Sequence, residues 1–392
     1  MHTFVAPLEY ARRMGAERLA VSCGEDRFSN AELYDRCARL GAALRGLGLE
    51  RGDRVAILAQ NCHRYIESYV GLPASGFAIV PLNTRHAEPE VRYALEDSGA
   101  RVLLTDRDPE PYADAVDHVV AMPTRYEELI AGASPEPFPS LEAEDLAGLF
   151  YTGGTTGASK GVMLTHRNLI ANTFHWMGAI SIPDDDVYML MAPAFHAAGS
   201  NAILATLWTG GRHVMLPAFD PAAALDLIAK EGVKSTLGVP AMLAGLAEEQ
   251  RLRPRDTSSV QFVGHGGSPI ATEVLRRTHE AFPNAELMEV YGATELAPIA
   301  TILRHEEGLL GDDRARSCGR PSPGVGIRIL DEEGNERGRG EVGEVVVNGP
   351  NVMRGYWNKP EQTASVLKNG EYWTGDLGYQ DAAGYVFLVD RS

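Results

Sequence analysis

The chain is poor in cysteine. It has four in 392 residues, Cys23, Cys37, Cys62 and Cys318, and none forms a CxxC pair. A disulfide framework is therefore excluded, and a reducing, cytoplasmic setting is expected. Cys37 falls on the apolar face of a predicted helix, which assigns it to packing rather than reactivity. No apolar run reaches the roughly 18 residues that a membrane span needs. The N-terminal stretch MHTFVAPLEYARRMGAERLA has no long apolar core, so it does not read as a signal peptide. Basic residues are in deficit: 36 Lys and Arg against 53 Asp and Glu leave a formal charge of −17. Such a surface disfavours nucleic acid and anionic membrane as partners. An anionic ligand would need a local cluster of lysine, arginine and backbone amides.

What is present is alternation. Ser29-Asn30-Ala31-Glu32 reads as a capping box. Leu33, Cys37, Leu40 and Leu44 follow at helical spacing, and Gly46 and Gly48 close the helix. Strand candidates then alternate with helices. They are RVAIL (54–58), FAIVPLN (77–83), RVLLTD (101–106), LAGLFYT (146–152), VYMLMAP (187–193), RHVMLPAF (212–219), VKSTLGV (233–239), VQFVGHG (260–266) and ELMEVYGATE (286–295). Helices are expected near 63–72, over 88–98 and from about 166. This pattern predicts βαβ units and largely parallel sheets. GASPEPFPS (132–140) reads as a surface connection, either a domain linker or a long internal loop. From about 316 short runs separated by turns such as EEGNE and DAAG predict a small antiparallel β subdomain.

The most distinctive stretch is LFYTGGTTGASKGVMLTH (149–166). Glycines let backbone N–H groups converge on an anion, threonines add donors, and Lys160 adds charge, so phosphate is the natural guest. Walker A spacing fails, because Lys160 follows Ser159 rather than glycine. The dinucleotide fingerprint fails too, and its nearest candidate, Gly264 to Pro269, ends in proline. Gly157-Ala158-Ser159-Lys160-Gly161 matches GxSxG, which would make Ser159 a hydrolase nucleophile on a strand-to-helix elbow. A plain surface loop is the remaining alternative.

The stretch resembles the phosphate loop of the AMP-forming, or adenylate-forming, enzyme superfamily, which includes acyl-CoA synthetases. Five further blocks resemble that family in order and spacing: MAPAFHAAGS (191–200), GHGGSPI (264–270), VYGATE (290–295), GEVVVNGPNVMRGYWNKPEQT (343–363) and YWTGDLGYQDAAGYVFLVDR (372–391). The resemblance implies an α/β fold. Two packed βα subdomains with mostly parallel sheets would span about 1–315. A small antiparallel, barrel-like β subdomain would span about 316–389. Residues 390–392 would begin a hinge, with the family's mobile C-terminal domain absent and little full activity expected without it.

The resemblance also implies roles. Thr152, Gly153, Gly154, Thr155, Thr156, Gly157 and Lys160 would wrap the phosphates of ATP. Thr294 would donate to the α-phosphate, and Glu295 would hold Mg²⁺ through hard oxygens. Tyr291 would stack on adenine. Asp376 would accept both ribose hydroxyls, with Arg391 nearby. Gly266, Gly267, Ser268, Glu289, Val290 and Gly292 would complete the nucleotide slot. His196, Val239, Gly264 and Gly292 would line the acyl pocket, His196 as a gate or positioning group. The expected catalytic set is Thr152, Lys160, His196, Thr294 and Glu295. His265 reads equally well as packing. No acid occurs in 191–200 to pair a substrate ammonium, so an apolar fatty or aryl acid without an α-amino group is expected. It would pass through acyl-AMP to a CoA thioester, with ATP, Mg²⁺ and CoA as cofactors and co-substrates. A homodimer is the expected assembly. Gly153 stands where the family usually has serine, and Ala158-Ser159 where it has x-Pro. Both changes predict a weaker grip on ATP. They leave open a member that performs one half-reaction, or a non-catalytic binding module.

Overall fold

The computed structural model describes residues 2–391 apart from 154–158, 181, 183–184 and 306–312. Its helix Asn30–Gly46 begins as its sequence dictates. The Ser29 side chain accepts from the Glu32 amide, and the Glu32 carboxylate accepts from the Ser29 amide at 2.7 Å. Such a box is worth about 1 kcal/mol. Leu33, Cys37, Leu40 and Leu44 are all buried, as their spacing required. Burial pushes the Cys37 thiol well up, so it is inert.

Two large sheets form the body. One has seven strands in the order Gly355–Tyr356, Lys160–Thr165, Leu146–Thr152, Ala78–Pro81, Arg54–Leu58, Ala100–Thr105 and His118–Ala121. It is parallel from Leu146–Thr152 onward. The other has nine strands: Arg320–Pro321, Ile299–His305, Glu286–Gly292, Phe262–Gly266, Ser235–Gly238, Val187–Leu190, Arg212–Met215, Leu19–Cys23 and Asp26–Ser29. Its middle is parallel and its two ends are antiparallel. A smaller antiparallel sheet joins Gly326–Leu330, Gly343–Asn348, Glu371–Gln380 and Leu367–Lys368, with Val386–Arg391 added along Glu371–Gln380.

One apolar core holds Ile57, Ile79 and Val102 of the seven-stranded sheet together with Leu190, Leu237 and Met288 of the nine-stranded sheet. Helices His63–Ala74, His166–Ala179 and Ala197–Trp208 contribute to the same core. This explains why His63–Ala74 is buried on nearly all sides: it lies between apolar layers rather than on a surface. Helices Pro221–Glu231, Pro240–Leu252 and Thr272–Ala281 cover the outer face of the nine-stranded sheet. Among the described residues, no helix is long and apolar enough to cross a membrane.

Three features depart from the sequence expectation. The glycine loop does not lead directly into a helix. Strand Lys160–Thr165 intervenes and pairs antiparallel with Leu146–Thr152, from Leu146↔Thr165 to Thr152↔Lys160. Hairpin Leu19–Ser29 belongs to the nine-stranded sheet, where Val21 pairs with His213, although the strands that follow it in sequence build the other sheet. Two short strands beyond residue 316, Arg320–Pro321 and Gly355–Tyr356, join the large sheets rather than the small one. Residues 132–140 connect helix Thr124–Gly132 to strand Leu146–Thr152 within one sheet, so they form an internal loop.

Candidate functional site

Sheet order dictates where the motif residues gather. Val187–Leu190, Ser235–Gly238, Phe262–Gly266 and Glu286–Gly292 are consecutive parallel neighbours. Their carboxyl ends therefore lie along one edge. His196, Val239, Gly266 to Ser268 and Tyr291 to Thr294 follow those ends. The carboxyl edge of a parallel sheet, where crossovers part, is the usual ligand crevice. On the seven-stranded sheet, Leu82-Asn83 and Thr152-Gly153 occupy the equivalent edge.

The two edges meet across a cleft of about 600 Å³, lined from one side by Leu82, Thr152, Gly153 and Ser159 and from the other by Phe195, His196 and Thr294. Three of the five expected catalytic residues thus share one cavity. His196 caps helix Ala197–Trp208 from a partly open position, with the Phe195 ring 4.3 Å from its own. Desolvation first, and then the positive field of Arg85 and His86, hold its imidazole below its ordinary pKa. It is therefore neutral at physiological pH, which suits a positioning group better than a charged clamp.

Lys160 and Glu295, the other two, are not among the residues that line the cleft and are joined by a residue that the motif reading left without a role. The Lys160 ammonium lies 4.4 Å from the centroid of the Tyr356 ring. The Tyr356 hydroxyl donates to Glu295 Oε1 at 2.8 Å. Glu295 is buried. Its oxygens are the hard donors that Mg²⁺ requires, and Thr294, its neighbour in sequence, lines the cleft, so the donor chemistry fits that ion. Tyr356 lies in the block 343–363, but its partners are distant in sequence, so only the block and not the contact was legible.

The loop itself is a hairpin connection. Gly154, Thr155, Thr156 and Gly157 lie outside the described residues. The flanks are firmly held: Ser159 Oγ donates to the Thr152 carbonyl at 2.6 Å, and Tyr93 Oη donates to the Ser159 carbonyl at 3.0 Å. This overturns the hydrolase reading. Ser159 precedes a strand rather than sitting on a strand-to-helix elbow, and its hydroxyl proton is committed to a carbonyl. A second brace comes from Asp97, also without a role in the motif reading. It accepts from Tyr151 at 2.7 Å and from Lys359 at 3.1 Å, while Trp357 Nε1 donates to its carbonyl.

Tyr291 reaches across to the small sheet, where its hydroxyl donates to Asp376 Oδ2 at 2.6 Å. Burial first, then the Asp376 charge, raises the phenol well above its usual pKa, so it remains a donor. Arg391 pairs with Asp376 through the backbone of adjacent strands. Val290 is buried, and Ser268 is exposed beside Gly267, whose φ of +82° needs glycine. Burial holds the Glu289 carboxyl up at about 7. Val239 is 44% exposed, and a Cβ on Gly267 would lie 3.8 Å from it, so the two border one opening.

The glycines need one correction. Gly264, Gly266 and Gly292, expected to line the acyl and nucleotide slots, have no Cβ for a reason inside the protein. At Gly292 a Cβ would fall 1.9 Å from the Pro298 carbonyl oxygen, and at Gly266 it would fall 2.5 Å from that of Val290. At Gly264 it would meet Trp176 at 3.2 Å. The missing side chains are required by the protein's own packing. Gly153 is the opposite case, since among the described residues nothing lies within 4 Å of its Cβ position.

Comparison with known proteins agrees with this geometry. A family model described as AMP-binding enzyme matches residues 8–357. A feruloyl-CoA synthase of Amycolatopsis sp is 37% identical over 388 residues, covering 97% of this chain and 76% of its own length. A long-chain-fatty-acid–CoA ligase of Bacillus subtilis is 31% identical over 420 residues, with 96% and 74% covered. Among solved structures, the inhibitor-bound N-terminal domain of FACL13 from Mycobacterium tuberculosis superposes with a TM-score of 0.92 at 28% identity, covering all of both chains.

Proposed function

The chain belongs to the AMP-binding enzyme family, and we propose that it activates an apolar carboxylic acid as acyl-AMP and transfers the acyl group to CoA. The observation that carries this reading is the cleft in which Thr152, His196 and Thr294 converge from two sheets, with Lys160 and Glu295 held together by Tyr356. A fatty or aryl acid is favoured because the segment 191–200 carries no acid to pair an ammonium, and relatives named for a feruloyl and a long-chain fatty acyl substrate match nearly the whole chain.

In this reading ATP and CoA are co-substrates. Thr152, Gly153 and Lys160, with the loop between them, hold the phosphates. Thr294 donates to the α-phosphate. Tyr291 and Asp376 set the nucleoside, Asp376 taking the ribose hydroxyls. Glu295 and its neighbouring hydroxyls would hold Mg²⁺, whose contribution is charge neutralisation on the phosphates. The substrate carboxylate attacks the α-phosphorus and pyrophosphate leaves. The CoA thiolate then attacks the acyl carbon and AMP leaves. Rate enhancement comes from alignment and from fixed donors facing the charge that develops, without a covalent enzyme intermediate. The unpaired cysteines support a reducing, cytoplasmic setting.

The test is a panel of aryl and fatty acids incubated with ATP, Mg²⁺ and CoA, with pyrophosphate release and acyl-CoA mass read separately. Acid-dependent pyrophosphate followed by thioester is the expected result. A chain that releases no pyrophosphate yet converts supplied acyl-AMP to thioester is a second-half enzyme. Stabilisation by acyl-AMP with neither product would leave a binding module and overturn the ligase reading.

A further inference from the structure

One cluster is built of residues that do not line the cleft, Glu289 among them although it was expected in the nucleotide slot. His265 on strand Phe262–Gly266 stands in register with Glu289 on Glu286–Gly292, and His305 ends strand Ile299–His305 opposite Leu287. By the two-residue period of a strand, all three share the face of Val263 and Leu287, which is the face covered by helices Pro240–Leu252 and Thr272–Ala281. The two imidazoles are stacked, with centroids 5.2 Å apart and planes 12° from parallel. Their Nε2 atoms are 3.1 Å apart. Glu289 Oε2 lies 4.0 Å from His305 Nε2. One ligand atom from each residue falls within 4.8 Å of the others.

The cluster is largely buried and under-satisfied. His265 is fully buried, and the His305 and Glu289 side chains are 1% and 14% exposed. Among the described residues neither Nδ1 has a partner. Without a cation, one imidazole N–H can answer only the other ring's lone pair, and among the described residues the ion-pair partner of the Glu289 carboxylate is His305, not an arginine or lysine. Buried polar groups left in that state are destabilising.

We propose that His265, Glu289 and His305 form a binding site for a zinc-class divalent transition metal, distinct from the hard-oxygen position at Glu295. Bonds of roughly 2.0–2.1 Å from a tetrahedral ion to two imidazoles place the nitrogens a little over 3 Å apart, close to the observed separation. A side-chain rotation brings the carboxylate in. Two nitrogens and one carboxylate select zinc, cobalt or nickel over Mg²⁺. The fourth position is left to water. Such an ion would staple three adjacent strands beneath the Gly266 to Ser268 and Tyr291-Gly292 segments.

The test uses untagged protein stripped with chelator and titrated with ZnCl₂ alone by calorimetry and with CoCl₂ by visible absorption. One equivalent bound, a raised Tm and at least a tenfold loss of affinity in His265→Asn and in His305→Asn are expected, with Glu295→Gln unchanged. Absence of saturable one-to-one binding, or its persistence in the double histidine variant, overturns the site. If that variant does not fold, X-ray absorption at the zinc edge of the wild-type protein decides: imidazole scattering from two ligands supports the site, and an all-oxygen shell overturns it.

Discussion

The Tyr356 hydroxyl donates to Glu295 Oε1 at 2.8 Å while the face of the same ring carries the Lys160 ammonium at 4.4 Å. One side chain thus sets the spacing between a cation and an anion that are 135 positions apart in sequence, from Lys160 to Glu295. Tyr356→Phe keeps the ring and removes the donor. A hydrogen bond to a charged group is worth about 1.5–3 kcal/mol, so adenylation is expected to slow by roughly 10- to 100-fold. The Mg²⁺ concentration for half-maximal ATP–pyrophosphate exchange should shift as well. An unchanged Mg²⁺ profile would show that Tyr356 is only packing.

Asp376 accepts from the Tyr291 phenol at 2.6 Å through Oδ2, and a carboxylate can take several donors at once. Asp376→Asn keeps the Tyr291 contact and replaces a double acceptor with a donor-acceptor pair. AMP affinity is expected to fall about 10- to 100-fold, while Tyr291→Phe loses less. Calorimetric titration with AMP measures both, and equal affinities in Asp376→Asn and wild type would refute the ribose assignment.

Gly292 and Gly153 predict opposite responses. A Cβ at Gly292 would collide with the Pro298 carbonyl at 1.9 Å, so Gly292→Ala should cost about 1–3 kcal/mol or more. Among the described residues nothing crowds the Gly153 Cβ position, so Gly153→Ser should leave Tm unchanged and lower KM for ATP by restoring a hydroxyl. Thermal melts and ATP saturation curves separate the two, and a Gly153→Ser variant with unaltered KM would remove the argument that this position weakens the loop.

His166 and His175 are neutral and buried, and burial brings each to about 4. His166 Nδ1 accepts from the Phe4 amide, which requires the unprotonated ring. Their folded pKa values lie below the unfolded value of about 6.5, so their stability contribution is present above about 6.5 and is lost as pH falls toward 4. For His175→Gln, the stability difference from wild type should move in the variant's favour by on the order of 2–3 kcal/mol as pH drops from about 7 to about 4.5. Urea denaturation across that range checks it, and a pH-independent difference would contradict it.

Asp186 works with the opposite sign. Burial raises its carboxyl to about 6 despite the Ser235 hydroxyl 2.7 Å away. The native state therefore binds the proton more tightly, and stability falls as pH rises from about 4 to about 6. Asp186→Asn should gain about 1–3 kcal/mol on wild type at neutral pH and nothing below pH 4. Denaturation midpoints at the two pH values decide it.

Much of the fold was legible because local rules governed it. RVAIL and LAGLFYT became Arg54–Leu58 and Leu146–Thr152 residue for residue, and the capping box at Ser29 formed as written. These are fully buried strands or capped helices, whose pattern needs no knowledge of neighbours. Lys160–Thr165 was missed because its short apolar run is squeezed between a glycine loop and a helix cap, and only its ladder to Leu146–Thr152 makes it a strand. Hairpin Leu19–Ser29 was missed for a related reason: its pairing partner Arg212–Met215 lies some 190 residues away.

By itself the sequence determined the types of most elements, the presence of a phosphate-loop motif and the order of the motif blocks, because these depend on residue type and near-neighbour spacing. Only the tertiary structure decided which side chains meet. Thr152 and His196 share a cleft because the carboxyl edges of two different sheets face each other. Tyr356 reaches Glu295, Tyr291 reaches Asp376, and His265 stacks on His305 because strand order and register bring distant segments within a few ångströms. Those separations are set by packing the whole core and by satisfying buried polar groups together, and no local pattern in the chain encodes them.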